Sequence, residues 1–255
     1  MKQNLVSYLG QNSYPGRGII LGKSEDGACA VIAYFIMGRS TNSRNRIFRR
    51  MDGGIRTEAN DPSQMQDPSL IIYAPVRTLE QQTIVTNGDQ TDTIYEGLKA
   101  GKSFQEALRT RKFEPDAPNF TPRISGLLTL RDGNFDYTLS ILKSNAGDAS
   151  ECLRFFYEYD APQPGEGHLI HTYERDASPL PSFCGEPVSV ALTGEIHQFS
   201  GDLWKALDEQ NRISLFVRYL NLKSGAHETV IINKNRGDEQ LHYSSALTSG
   251  EEKRS

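Results

Sequence analysis

From Gly16 onward the chain is a succession of short apolar runs, each closed by a turn signal, and this rhythm constrains the fold more than any other feature. The first two runs, RGIILG and ACAVIAYFIMG, are separated by SEDG and predict a β-hairpin. Further strands are expected in SLIIYAPV (69 to 76), QTIVTN (82 to 87), ISGLLTL (124 to 130) and FDYTLSILK (135 to 143). Arg131-Asp132-Gly133-Asn134 joins the last two in a second hairpin. LRFFYEYD (153 to 160), GHLIHTYE (167 to 174), PVSVAL (187 to 192), ISLFVRYLN (213 to 221) and ETVIINK (228 to 234) continue the series. Several of these are apolar on both sides, as strands buried between layers are.

Helical signals are fewer. One helix is expected from Asp92 to Ala100, stopped by Gly101, and a neighbour follows the capping box of Ser103 and Glu106. A third is expected from Gly201 to about Asn211, capped by Ser200, with Leu203, Trp204 and Leu207 on one face. No repeat or long linker interrupts the series, so residues 1–237 are read as one domain of packed sheets covered by a few helices. Residues 238–255, ending SGEEKRS, are expected to be a frayed polar tail.

Charge and cysteine usage narrow the function. A net charge of -4 opposes a role in coating nucleic acid, which needs a broad basic surface. The three cysteines, Cys29, Cys152 and Cys184, are widely spaced and fit neither a disulfide framework nor a paired zinc motif. With no signal-peptide core and no apolar run of membrane-spanning length, the expectation is a cytoplasmic protein with no membrane partner.

Three segments have the chemistry of a site. GRSTNSRNR, Gly38 to Arg46, packs three arginines among hydroxyls and amides, a composition able to grip phosphate; a solvated basic loop is the alternative. TNGDQTD, Thr86 to Asp92, joins a strand to a helix start, where backbone amides favour an anion; turn chemistry with Asp92 as N-cap is the alternative. EPDAPNFTPRISG, Glu114 to Gly126, holds two acids and Arg123 on a proline-stiffened approach to a strand, suited to proton transfer beside an anion clamp or to a plain rigid connection. His168 and His171 stand three apart in a strand and so point to opposite faces, which opposes a shared metal. Neither a Rossmann fingerprint nor a P-loop occurs, and the zinc-deaminase pattern is missing.

Taken in order, YPGRGIILG, GRSTNSRNR, IIYAPVR, TNGDQTD, NFTPRISG and GHLIHTY resemble the archaeal-type IMP cyclohydrolase family over roughly residues 14 to 190. The resemblance implies an α+β fold: a four-layer αββα sandwich of two mainly antiparallel sheets, like that of N-terminal nucleophile hydrolases. It implies dehydrative closure of the formamidoimidazole carboxamide ribotide to inosine 5'-monophosphate, with a purine ribonucleotide as small-molecule partner and neither cofactor nor metal. By the same resemblance Arg39, Tyr73 and Asp116 are the candidate catalytic residues, with Glu114 standing close enough to Asp116 to be the alternative acid. Asn42, Arg44, Arg46, Asn87, Asp92 and Arg123 are the candidate substrate-binding residues.

The chain opens Met1-Lys2, without the Thr, Ser or Cys that N-terminal nucleophile hydrolases free as their nucleophile. Residues beyond about 190 match no motif and are read as a candidate homo-oligomer surface. A diverged amide hydrolase of that fold and a non-catalytic purine-nucleotide-binding module are the competing functions.

Overall fold

The computed structural model describes residues 2–65, 68, 71–238 and 240–245. In chain order its helices are α1 (Leu5–Gly10), α2 (Thr41–Arg44), α3 (Gln90–Lys99), α4 (Phe104–Arg109) and α5 (Ile196–Ala206). The strands are β1 (Arg17–Lys23), β2 (Cys29–Met37), β3 (Arg46–Met51), β4 (Gly54–Ala59), β5 (Val76–Leu79), β6 (Gln82–Thr86) and β7 (Arg123–Arg131). They continue with β8 (Asn134–Asn145), β9 (Asp148–Tyr159), β10 (Glu166–His171), β11 (Val188–Ala191), β12 (Arg212–Asn221), β13 (His227–Asn233) and β14 (Gln240–Ser245).

Two seven-stranded antiparallel sheets result, in the orders β11-β10-β1-β2-β12-β13-β14 and β3-β4-β5-β6-β7-β8-β9. The strand alternation sorts their side chains into three apolar layers. Ile19, Leu21, Ile32 and Ile36 of the first sheet meet Phe48, Val85, Ile124 and Leu139 of the second. The opposite faces of β1 and β2, with Ile20, Val31 and Phe35, pack under Leu5 and Leu9 of α1 and Phe199, Leu203 and Trp204 of α5. Ile84, Leu127 and Leu142 on the outer face of the second sheet lie under Ile94 of α3 and Phe104 and Leu108 of α4. This is the α+β, α-β-β-α layering expected, and it explains why β1 and β2 are apolar on both sides. Each large apolar side chain so enclosed contributes roughly 2 kcal/mol. Among the described residues no helix is long and apolar enough to cross a membrane.

The structure departs from expectation at four places. Of the strand expected over 69–76, residues 69 and 70 lie outside the described residues and β5 begins only at Val76. Thr57 of β4 clamps the preceding stretch instead: its hydroxyl donates to the Ile71 carbonyl at 2.7 Å, and its amide to the Tyr73 carbonyl at 2.9 Å. Pro75, with no N–H, cannot extend the ladder. The β3–β4 hairpin went unmarked because Arg49, Arg56 and Glu58 on its exposed face hide the inward Phe48 and Ile55.

Helix α5 starts at Ile196, earlier than its expected cap Ser200, which lies inside the helix and donates to the Ile196 carbonyl at 2.5 Å. Leu203, Trp204 and Leu207 still form the buried face. The first part of the expected tail is β14, an edge strand on β13; residues 246–255 lie outside the described residues.

Candidate active site

At one end of the sandwich the strand starts carrying Arg17, Arg46 and Arg123 come together with the segment Phe113 to Arg123. Local sequence explains the approach. Chain crossing from β2 to β3 is turned by α2, whose Ser40 and Ser43 form a reciprocal capping box. That turn delivers Arg46 inward: its side chain is fully buried, with Nε donating to the Ser43 carbonyl at 2.8 Å. Both terminal nitrogens of Arg46, and Nε of Arg17, are buried without a hydrogen-bond partner. Among the described residues neither guanidinium forms an ion pair.

A fully buried cation left unpaired, as Arg46 is, is costly unless a site requires it; Arg17 beside it is part-buried. Burial and the neighbouring Arg17 push the Arg46 pKa down. For Arg17 burial acts in the same direction, but the phenols of Tyr173 and Tyr14 and the Glu114 carboxyl outweigh it and raise the pKa. Near both arginines stand two buried phenols, Tyr34 of β2 and Tyr73, with hydroxyls 2.8 Å apart. Burial raises both phenol pKa values, so these hydroxyls are neutral donors at physiological pH.

Glu114 is the carboxyl of this cluster. It is buried, and desolvation raises its pKa from 4.5 to about 7 despite the opposing fields of Arg17 and Arg123. Its position over the start of α3 is fixed by a close approach. A Cβ at Gly88 would lie 2.6 Å from Arg123 Nη1, 2.7 Å from Gln90 Oε1 and 3.3 Å from Glu114 Oε1, so only glycine leaves room for the three to converge. Arg123 donates to Gln90 Oε1 at 2.6 Å and pairs with Asp89 at 2.7 Å.

The other sequence-derived residues divide by location. Asp116 lies close to Glu114 in the same segment, but its oxygens accept from the Thr121 amide, at 2.7 Å, and from the Thr121 hydroxyl. Arg39 is half exposed, pairs with Asp176 at 2.5 Å and lies 4.9 Å over the Tyr14 ring at the edge of the cluster. Arg44 is exposed and donates to Gly38 O and Asn211 Oδ1; Asn42 sits in the same turn. Asn87 is buried and held by three hydrogen bonds, donating to Pro122 O and accepting from Gln90 Nε2 and the Ile124 amide. Asp92 is exposed in the first turn of α3, paired with Arg77 at 2.6 Å; the residue at the helix N-cap is Asp89.

Sequence reasoning passed over Tyr14, Arg17, Tyr34, Thr121 and Tyr173. Tyr14 and Arg17 lie in YPGRGIILG and Tyr173 in GHLIHTY, motifs that carried the family resemblance but were given no site role; the available signal was a polar residue at or just beyond a strand end inside each. His168 and His171 point to opposite faces, meeting Tyr137 between the sheets and Tyr8 of α1. A cavity of about 790 Å3 opens elsewhere, at the β1–β2 and β12–β13 turns beside Cys29, Tyr219 and His227. It lacks the convergence of buried, unpaired charges that marks the arginine end, so the chemistry is assigned to the latter.

Comparison with known proteins agrees with the motif order. A family model described as IMP cyclohydrolase-like protein matches residues 14–225. A protein of Methanopyrus kandleri named IMP cyclohydrolase is 30% identical over 164 residues, covering 63% of this chain and 75% of that protein. One of the same name from Methanosphaera stadtmanae is 26% identical over 167 residues, 64% of this chain and 75% of its own length. A third, from Methanococcus maripaludis, is 33% identical over 121 residues, 46% of this chain and 58% of its own length.

Proposed function

Because the chain belongs to the IMP cyclohydrolase-like protein family, we propose that it catalyses the closure of 5-formamidoimidazole-4-carboxamide ribotide to inosine 5'-monophosphate. In this reaction the carboxamide nitrogen attacks the formyl carbon of the same molecule, a C–N bond forms and the formyl C–O bond breaks. One proton from the carboxamide nitrogen and one from the formamide nitrogen leave with that oxygen as water. Holding the two groups face to face supplies much of the acceleration, since the step is intramolecular.

The observation that carries the reading is the fully buried Arg46 guanidinium, its terminal nitrogens unpaired, with the part-buried Arg17 alongside and a carboxyl whose pKa lies about 7. Negative charge develops on the formyl oxygen during attack, and preorganised buried donors stabilise such charge best. Arg46 and the Tyr73 hydroxyl are assigned this task. Glu114 is assigned proton transfer in preference to Asp116, because a group titrating near 7 can both take a proton from the carboxamide nitrogen and return one to the leaving oxygen. Asp116 is already committed to Thr121. The exposed arginines, Arg39 and Arg44, are assigned to the phosphate end, with Asn42 beside them.

The test is absorbance-monitored conversion of the formamido ribotide by chelator-treated protein, with Glu114→Gln and Asp116→Asn alongside. Turnover that falls at least a hundredfold in Glu114→Gln and less in Asp116→Asn supports the assignment. No turnover by folded wild-type protein overturns the function, and the reverse order of the variants overturns the choice of acid.

A further inference from the structure

Tyr173 is held on several sides beside the site. Its ring is buried and stacked on Tyr14, 5.8 Å between centroids and 16° between planes. Gly16, at φ +80°, lets the backbone pass so close that a Cβ there would lie 2.5 Å from the Tyr173 ring. The Tyr173 amide donates to the Pro15 carbonyl, and the Tyr173 carbonyl accepts from His171 Nδ1 at 2.9 Å. Burial lowers the His171 pKa to about 4, so the ring is neutral. Facing a carbonyl, Nδ1 must carry the proton, which leaves Nε2 to accept from the Tyr8 hydroxyl at 2.9 Å.

The same proton counting fixes the direction of the Tyr173 hydroxyl. The Asp116 carboxylate only accepts, so the Thr121 hydroxyl proton points to it. Thr121 Oγ1 has no second proton, and its 2.5 Å contact with the Tyr173 oxygen therefore uses the proton of Tyr173. The chain of hydroxyls runs one way, from Tyr173 through Thr121 to Asp116. What remains to the Tyr173 oxygen, among the groups around Arg17, is lone-pair acceptance.

Resting on the cyclohydrolase reading, we infer that Tyr173 is an acceptor-only contact that holds one N–H of the substrate carboxamide while Glu114 takes the other. Thr121 and Asp116 are positioning residues: they act through Tyr173 by committing its proton elsewhere. A neutral carboxamide, with two N–H donors, fits this pair; a carboxylate in its place offers no donor to Tyr173.

The experiment compares binding of two non-cyclising ribotides, aminoimidazole carboxamide ribotide and its analogue with a carboxylate replacing the carboxamide, to wild type, Tyr173→Phe, Thr121→Val and Thr121→Ser. Melting temperatures and wild-type turnover are measured alongside. Tyr173→Phe and Thr121→Val are expected to weaken the carboxamide ligand about tenfold and leave the carboxylate ligand unweakened, with Thr121→Ser restoring wild-type discrimination. Equal weakening of both ligands, or none, overturns the inference, as does a Thr121→Ser that behaves like Thr121→Val. Wild-type turnover with any of those patterns leaves the cyclohydrolase reading standing. Wild type that neither turns over nor binds either ribotide overturns both.

Discussion

The hydroxyls of Tyr34 and Tyr73 meet at 2.8 Å within the field of both Arg17 and Arg46, although one belongs to β2 of the first sheet and the other to the irregular stretch before β5 of the second. Each phenol can satisfy the other while leaving one proton to offer a ligand. Tyr73→Phe is expected to lower turnover about a hundredfold and to cost about 1 kcal/mol of stability, the worth of one buried hydrogen bond. Steady-state rates beside thermal melts check this; comparable fractional losses in both would show that Tyr73 serves only the fold.

Arg46 makes one side-chain hydrogen bond and keeps two buried nitrogens without partners, so in the empty protein its charge opposes folding. Arg46→Met is therefore expected to hold or raise the melting temperature while weakening nucleotide binding at least tenfold. Calorimetric titration and denaturation of the same preparation decide it. A large loss of stability would mean that Arg46 is a structural pillar.

Glu114 and His171 respond oppositely to acid. The folded pKa of Glu114 is raised to about 7, so its favourable contribution is present below 4.5 and lost as pH rises through 7. The folded pKa of His171 is depressed to about 4, so its contribution is present above 6.5 and lost as pH falls towards 4. Each amounts to about 3 kcal/mol across its window, and between pH 4.5 and 6.5 they oppose each other. As pH falls across this range, the melting temperature of Glu114→Gln should drop relative to wild type, and that of a His171→Gln variant should rise relative to wild type. Parallel curves would contradict both assignments. The pH dependence of kcat/KM should show a limb near 7 that Glu114→Gln removes.

Asn87 and Asp92 bracket the same turn but differ in environment. Asn87 joins Pro122, Gln90 and Ile124 by three buried hydrogen bonds, while Asp92 is exposed beside Arg77. Asn87→Ala is expected to cost about 3 kcal/mol, and Asp92→Asn less than about 0.5 kcal/mol. Urea denaturation at neutral pH measures both; a stable Asn87→Ala protein with weakened nucleotide binding would return Asn87 to the ligand.

Local pattern alone determined much of this protein. Apolar runs broken by Gly and Asp turns place β1, β2, β6 to β8, β12 and β13, and apolar residues on both faces of β1 and β2 require cover on both sides. The capping box before α4 is equally legible, because Ser103 and Glu106 act within one helical turn. The ordered motifs identify the family and bring Arg46, Tyr73, Arg123 and the segment holding Glu114 and Asp116 to notice. Only the tertiary structure decided how they are used. Whether a carboxyl is free or committed depends on Thr121 and on burial, which separate Glu114 from Asp116 although two residues apart. Tyr34 and Tyr173 are ordinary strand-borne aromatics until the sheets stack. Desolvation and the fields of distant charges shift pKa values, and both are properties of assembled layers that no local run of residues contains.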